Sequence, residues 1–126
     1  MTVLTQPPGM GDVLKYELNP NFTRETITLL AGAAYPVGAV LGRITASGKY
    51  KLATAAGSDG AQTAAAVLLY AIDAAGADAT GIAITRGPAI VSKAALVFDA
   101  TVDDAAKTAA KHAQLTALGI IARDTA

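Results

Sequence analysis

"YPVGAVLGRITASGKYKLATAAGSDG", residues 35–60, decides the fold. Pro36 and Gly38 make a turn, and Val40 and Leu41 begin a short strand that "GRIT" continues. "ASGKY" reverses the chain tightly, because Gly48 can take the positive φ that such a turn requires, and "YKLAT" runs back. This predicts a β-hairpin followed by a loop, "AAGSDGAQTAAA", whose turn chemistry comes from Gly57, Asp59 and Gly60. On the N-terminal side, "TRETITLLAG" alternates Arg24, Thr26 and Thr28 with Glu25, Ile27 and Leu29 and reads as a strand. On the C-terminal side, "VLLYAIDA" reads as a buried strand, "AGADA" as a turn, and "TGIAITRG" as a returning strand with Ile82 and Ile84 on one face. Pro88 breaks that run, and "AIVSKAALVF" supplies one or two further strands.

The exception to this β pattern is "TVDDAAKTAAKHAQLTALG", residues 101–119, which predicts a helix. Thr101 with Asp104 fits a capping box, Asp103 and Asp104 complement the helix N-terminus, and Gly119 fits the stop position. Ala106, Ala109, Ala110, Ala113, Ala117 and Leu118 form a face of small residues expected to pack closely on the rest of the domain. "GIIARDTA" closes the chain as a last short strand. The expected fold is mainly β, with a single β-rich domain over residues 23–126 that ends in one short C-terminal α-helix and its closing strand.

Residues 1–22 read differently. "QPPGMG" and "LNPN" place prolines where helix is disfavoured, so an extended N-terminal arm is expected. Apolar side chains still recur along it, which a solvated tail would lack. Leu4, Pro7, Pro8, Val13, Leu14, Tyr16, Leu18 and Phe22 are therefore the candidate partner-binding residues, on an arm that lies against another surface.

Bulk composition narrows the function. Of 126 residues, 30 are alanine and none is tryptophan or cysteine. Alanine buries little surface, so the core is thin, and association with a partner or with further copies is a common remedy. Ten basic and ten acidic residues cancel, whereas a nucleic-acid binder carries a basic excess. Without cysteine there are no disulfides and no thiolate chemistry. "MTVLTQPPGMGD" lacks a basic segment followed by an apolar one, so synthesis in the cytoplasm is expected. Apolar runs such as "AAAVLLYAI" fall well short of the ~20 residues of a membrane span.

Each candidate for chemistry has a plainer explanation. His112, the one histidine, has no orienting acid or fellow ligand nearby in sequence and reads as an exposed or half-exposed surface residue on the helix. Asp103 and Asp104 point in different directions and serve the helix start. "GSDG" lacks the remaining acidic ligands of a calcium loop, and "GRITASGKY" lacks phosphate-loop spacing. Arg43, Lys49 and Lys51 are a solvated hairpin face. No catalytic set, metal site or cofactor site is expected.

Taken in order, "YPVGAVLGRIT…GKYKLA", "SDGAQTAAAVLLY", "GIAITRGPAIV" and "VDDAAKTAAKHAQLTALGIIAR" resemble the phage lambda-type head decoration proteins over roughly residues 25 to 123. The resemblance implies a small β-clip-type subunit that sits as a homotrimer on the outer surface of a phage capsid. There it would bind the major capsid protein and stabilise the shell against the pressure of packaged DNA. It also implies an N-terminal arm that pairs with capsid strands. The residues themselves leave two alternatives open: another structural phage component, such as a tail or baseplate subunit, or a small ligand-binding β domain.

Overall fold

The structure, a computed structural model, describes residues 10–124. A helical turn, α1 (Met10–Val13), leads into strand β1 (Leu14–Glu17). A second turn, α2 (Pro20–Thr23), leads into β2 (Arg24–Leu29). Then come β3 (Ala33–Tyr35), β4 (Val40–Arg43), β5 (Tyr50–Leu52), β6 (Ala64–Leu68), β7 (Ile72–Ala74), β8 (Ala79–Ile84) and β9 (Ala89–Ser92). A short 3₁₀ turn at Lys93–Ala95 precedes the helix α3 (Ala105–Ala117) and the last strand β10 (Ile120–Arg123). The chain is mainly β with one substantial, C-terminal helix, as expected.

The hairpin predicted from the quoted stretch is β4–β5. Leu41 pairs with Leu52 and Arg43 with Tyr50, and Gly48 turns the chain at φ +74°. It is one side of a closed barrel of five strands in the order β2-β5-β4-β6-β8. Closure removes the free edges that a small open sheet would expose. Alternation along the strands sends Ile27, Leu29, Leu41, Tyr50, Ala66, Leu68 and Ala83 inward, and Tyr35 and Ala74 of the β3–β7 ribbon join them.

A second core lies outside the barrel. Val40, Val67, Leu69 and Ile84 meet Ala89, Val91 and Ile120 of a three-stranded sheet ordered β1-β9-β10, together with Leu115 of α3. Several barrel strands are therefore covered on both sides, which is why "VGAVLG" and "AAAVLL" read as continuous apolar runs. Ile82 and Ile84 do share a face, but it is the outer one: Ile84 lies under the second sheet and Ile82 stays exposed. "VLLYAIDA" does not form one strand, because the chain leaves β6 after Leu68 and Tyr70 is exposed before β7 begins.

Two helix expectations are corrected. Asp104, not Thr101, caps α3, with its carboxylate accepting from the Lys107 N–H at 2.8 Å. The Thr101 hydroxyl accepts instead from the Ala55 N–H at 3.0 Å. The alanine face points to solvent, since Ala106, Ala109, Ala110, Ala113, Ala117 and Leu118 are all exposed. The inward face is Thr108, Lys111, His112 and Leu115, spaced at 3, 4 and 7 as one helical stripe requires. Gly119, at φ +84°, does end the helix.

Candidate docking surface

Leu4, Pro7 and Pro8 lie outside the described residues. From Met10 onward the segment expected to be an arm is built onto the domain. Val13 is fully buried and packs with Val37, Val91 and Leu96, so it does not face a partner; its isopropyl side chain fills the thin second core. Leu14, half-buried, packs against the same core. β1 runs antiparallel to β9, with Leu14 opposite Val91 and Tyr16 opposite Ile90, around an irregularity at Lys15.

The backbone is then redirected into the barrel by local chemistry. The Leu18 N–H donates to the Pro88 carbonyl at 3.0 Å. Asn19 caps α2 by accepting from the Asn21 N–H at 2.9 Å, and Pro20 occupies the first helical position. Glu17 receives the Arg24 guanidinium at 2.5 Å and the Thr23 hydroxyl at 2.6 Å. Burial pushes the Glu17 carboxyl up, but these hydrogen bonds and the Arg24 charge outweigh it and hold the group below its ordinary value. Arg86 lies over the Phe22 ring, 5.6 Å from its centroid, and also pairs with Glu25.

What remains outside is apolar. Tyr16, Leu18 and Phe22 are 48%, 59% and 50% exposed. Sheet register extends this patch: Tyr16 lies opposite Ile90, and Ile90 lies beside Ile121 of the parallel strand β10. The three side chains form one row across the outer face of the β1-β9-β10 sheet, opposite to the face that carries Val91 and Ile120 inward. Ile121 is also exposed, and so is Leu118 just before β10. In the sheet order, β1 and β10 are the two outermost strands, so each offers a backbone edge beside the apolar row. Ile90 and Ile121 are not singled out by the sequence, and Leu118 is placed there on the packing face of the helix. The signal for Ile121 is alternation within "GIIAR"; only the register of β9 to both β1 and β10 brings it into the row with Tyr16.

Charged groups elsewhere neutralise one another. Lys49 pairs with Asp78 at 2.6 Å and Lys51 with Asp59 at 2.8 Å. Hydrogen bonds from these lysines, then from backbone N–H groups, hold both aspartates below the ordinary carboxylate range. The "GSDG" segment is thus a turn, with the Asp59 carboxylate accepting from the Ala61 N–H at 3.0 Å. Among the described residues no group of three or more His, Asp or Glu side chains is placed to hold a metal, and no helix is long and apolar enough to cross a membrane. His112 is half-buried, with its ring edge toward Phe98.

The structure is a closed barrel carrying a three-stranded sheet whose outer face is apolar and bounded by two strand edges. The family model for Bacteriophage lambda head decoration protein D matches residues 3–120. The chain belongs to that family, and its role is therefore phage capsid decoration, with the virion capsid as its location. No curated protein matches the chain.

Proposed function

We propose that the protein is a cement subunit. It seats as a homotrimer on the outer surface of the phage head, binds the major capsid protein through the β1-β9-β10 sheet and the segment preceding it, and stabilises the shell against the pressure of packaged DNA. The observation that carries this reading is the row Tyr16–Ile90–Ile121 between two strand edges. A capsid strand added to such an edge gains backbone hydrogen bonds, while the row supplies apolar contact. Leu4, Pro7, Pro8, Leu18 and Phe22 extend the contact, and many copies on a symmetric lattice add avidity. The balanced charge and internally paired lysines support binding without nucleic acid.

The test incubates empty, undecorated heads with wild-type protein and with Tyr16→Asp and Ile121→Asp, and reads occupancy by electron microscopy. Wild type is expected to fill threefold-symmetric positions and raise the melting temperature of the heads. Both variants are expected to keep the melting temperature of the free subunit and lose occupancy. Full occupancy by both variants overturns the sheet as the docking face, and a dimer at every concentration in analytical ultracentrifugation overturns the trimer.

A further inference from the structure

Helix α3 is docked by two ionisable side chains that form no ion pair among the described residues. Lys111 is 1% exposed, and its ammonium donates to the Gln62 backbone carbonyl and, at 3.3 Å, to Gln114 Oε1, both neutral. On the next residue, His112 sets its ring against Phe98, with centroids 5.8 Å apart and planes at 61°. Its Nε2 is buried and has no hydrogen-bond partner. The charged groups that act on His112 are Lys93, from the turn after β9, and Asp124, just beyond β10. Burial disfavours the imidazolium most, Lys93 adds to this, and Asp124 offsets only part, so the imidazole is held below its ordinary value.

We propose that this seam is an acid-sensitive latch: protonation of His112 undocks α3 from the barrel, together with β10, which is joined to it through Gly119. A neutral imidazole carrying its proton on Nδ1 leaves Nε2 as a bare lone pair, which the apolar seam tolerates. The imidazolium must place an N–H donor there with no acceptor, in reach of the Lys93 cation. The sign follows. Histidine is protonated in the undocked state below about pH 6.5, and the docked state resists protonation. Docking is therefore complete above that pH and is lost as pH falls toward the lowered value. The latch belongs to the subunit itself and does not depend on what the sheet binds.

Because the chain has one histidine, the experiment is clean. Hydrogen exchange of the α3 amides in the full-length protein is followed at pH 7.5, 6.5 and 5.5, corrected for intrinsic rates, in wild type and in His112→Phe, which keeps an aromatic ring beside Phe98. In wild type the opening constant of α3 is expected to rise about tenfold or more between the extremes, the size expected for one unpartnered buried polar group. The barrel strand β6 is expected to stay protected, and the variant to lose the pH dependence. A constant α3 opening in wild type, or the same rise in His112→Phe, overturns the latch. Should that variant not fold, titration of the His112 ring by NMR in wild type decides: a midpoint below 6.5 that coincides with the loss of α3 protection upholds the latch, and a midpoint at or above 6.5 overturns it.

Discussion

Val13→Ala separates the packing role of the N-terminal segment from the docking role proposed for it. Val13 is 0% exposed and packs against Val37, Val91 and Leu96. The substitution removes two methyl groups, worth about 1.6 kcal/mol by transfer at ~0.8 kcal/mol each. Its neighbours belong to a closed barrel and a paired sheet that cannot collapse freely, so the residual cavity raises the cost to about 2–3 kcal/mol. For a domain of this length each kcal/mol moves the melting temperature by roughly 4 °C, which gives a drop of roughly 8–12 °C. Tyr16→Ala, at a half-exposed position three residues on, is expected to shift melting by no more than about 2–4 °C, since partial burial costs well under the full aromatic value. Differential scanning calorimetry of the free subunit measures both, and occupancy on empty heads is read in parallel. Val13→Ala is expected to melt early yet still decorate at low temperature, and Tyr16→Ala the reverse. A Val13→Ala protein that melts within 2 °C or so of wild type would refute the reasoning, because it would mean that the segment is not seated on the domain.

Three further outcomes are expected. Gly42→Ala places a Cβ 2.2 Å from the Ala61 carbonyl oxygen, a backbone atom that cannot swing aside, and is expected to cost about 1–3 kcal/mol in urea unfolding. Glu17→Gln is expected to lose about 1.5–3 kcal/mol at pH 7 by weakening the charged hydrogen bonds to Arg24 and Thr23. Because the folded Glu17 carboxyl is held below its ordinary value, that contribution is complete above about pH 4.5 and fades as pH falls through the lowered value, so wild type and variant should converge in acid. Decoration of empty heads should saturate at similar protein concentrations across 50–200 mM salt, whereas a phosphate-neutralising protein loses about 10³-fold or more over that range; titration at several salt concentrations checks this.

Much of the barrel was legible because its signals are local. Gly48 and the alternation on either side fix the β4–β5 hairpin, and Gly119 fixes the helix stop. The helix face was not legible, and alanine is the reason. It is equally at home inside and outside, so a helix with six alanines beside Lys111 and Leu115 carries almost no periodic signal, and the one long side chain that points inward besides Leu115 is a lysine, which reads as solvent-facing. The capping residue was misplaced for a related reason: Thr101, Asp103 and Asp104 all suit a helix start, and only the path of the preceding loop chooses Asp104. In the arm, Pro20 was read as a breaker, yet Asn19 before it makes the pair a helix start, a signal present in "LNPN". The apolar row was half visible. Tyr16, Leu18 and Phe22 stand out as apolar residues in a proline-rich segment, but Ile90 joins Tyr16 only through pairing across more than 70 residues of chain, and Ile121 joins them only through Ile90.

The order β1-β9-β10 has a topological consequence. β1 is antiparallel to β9 and β10 is parallel to it, so β1 starts and β10 ends at the same end of the sheet. Leu14 and Ala122 both sit level with Val91. They are two strand spacings apart, about 9–10 Å, a gap that a linker of a few residues can bridge. The path from Leu14 to Arg123 is thus nearly a closed ring, with β9 as the clasp between its two ends. Such a ring can be cut at the exposed bend around Gly76, where nothing lies within 4 Å of an added side chain, and rejoined at the clasp without altering a single strand pair. Peptides grafted before β1 and after β10 would leave the subunit side by side, beside the face proposed to meet the shell.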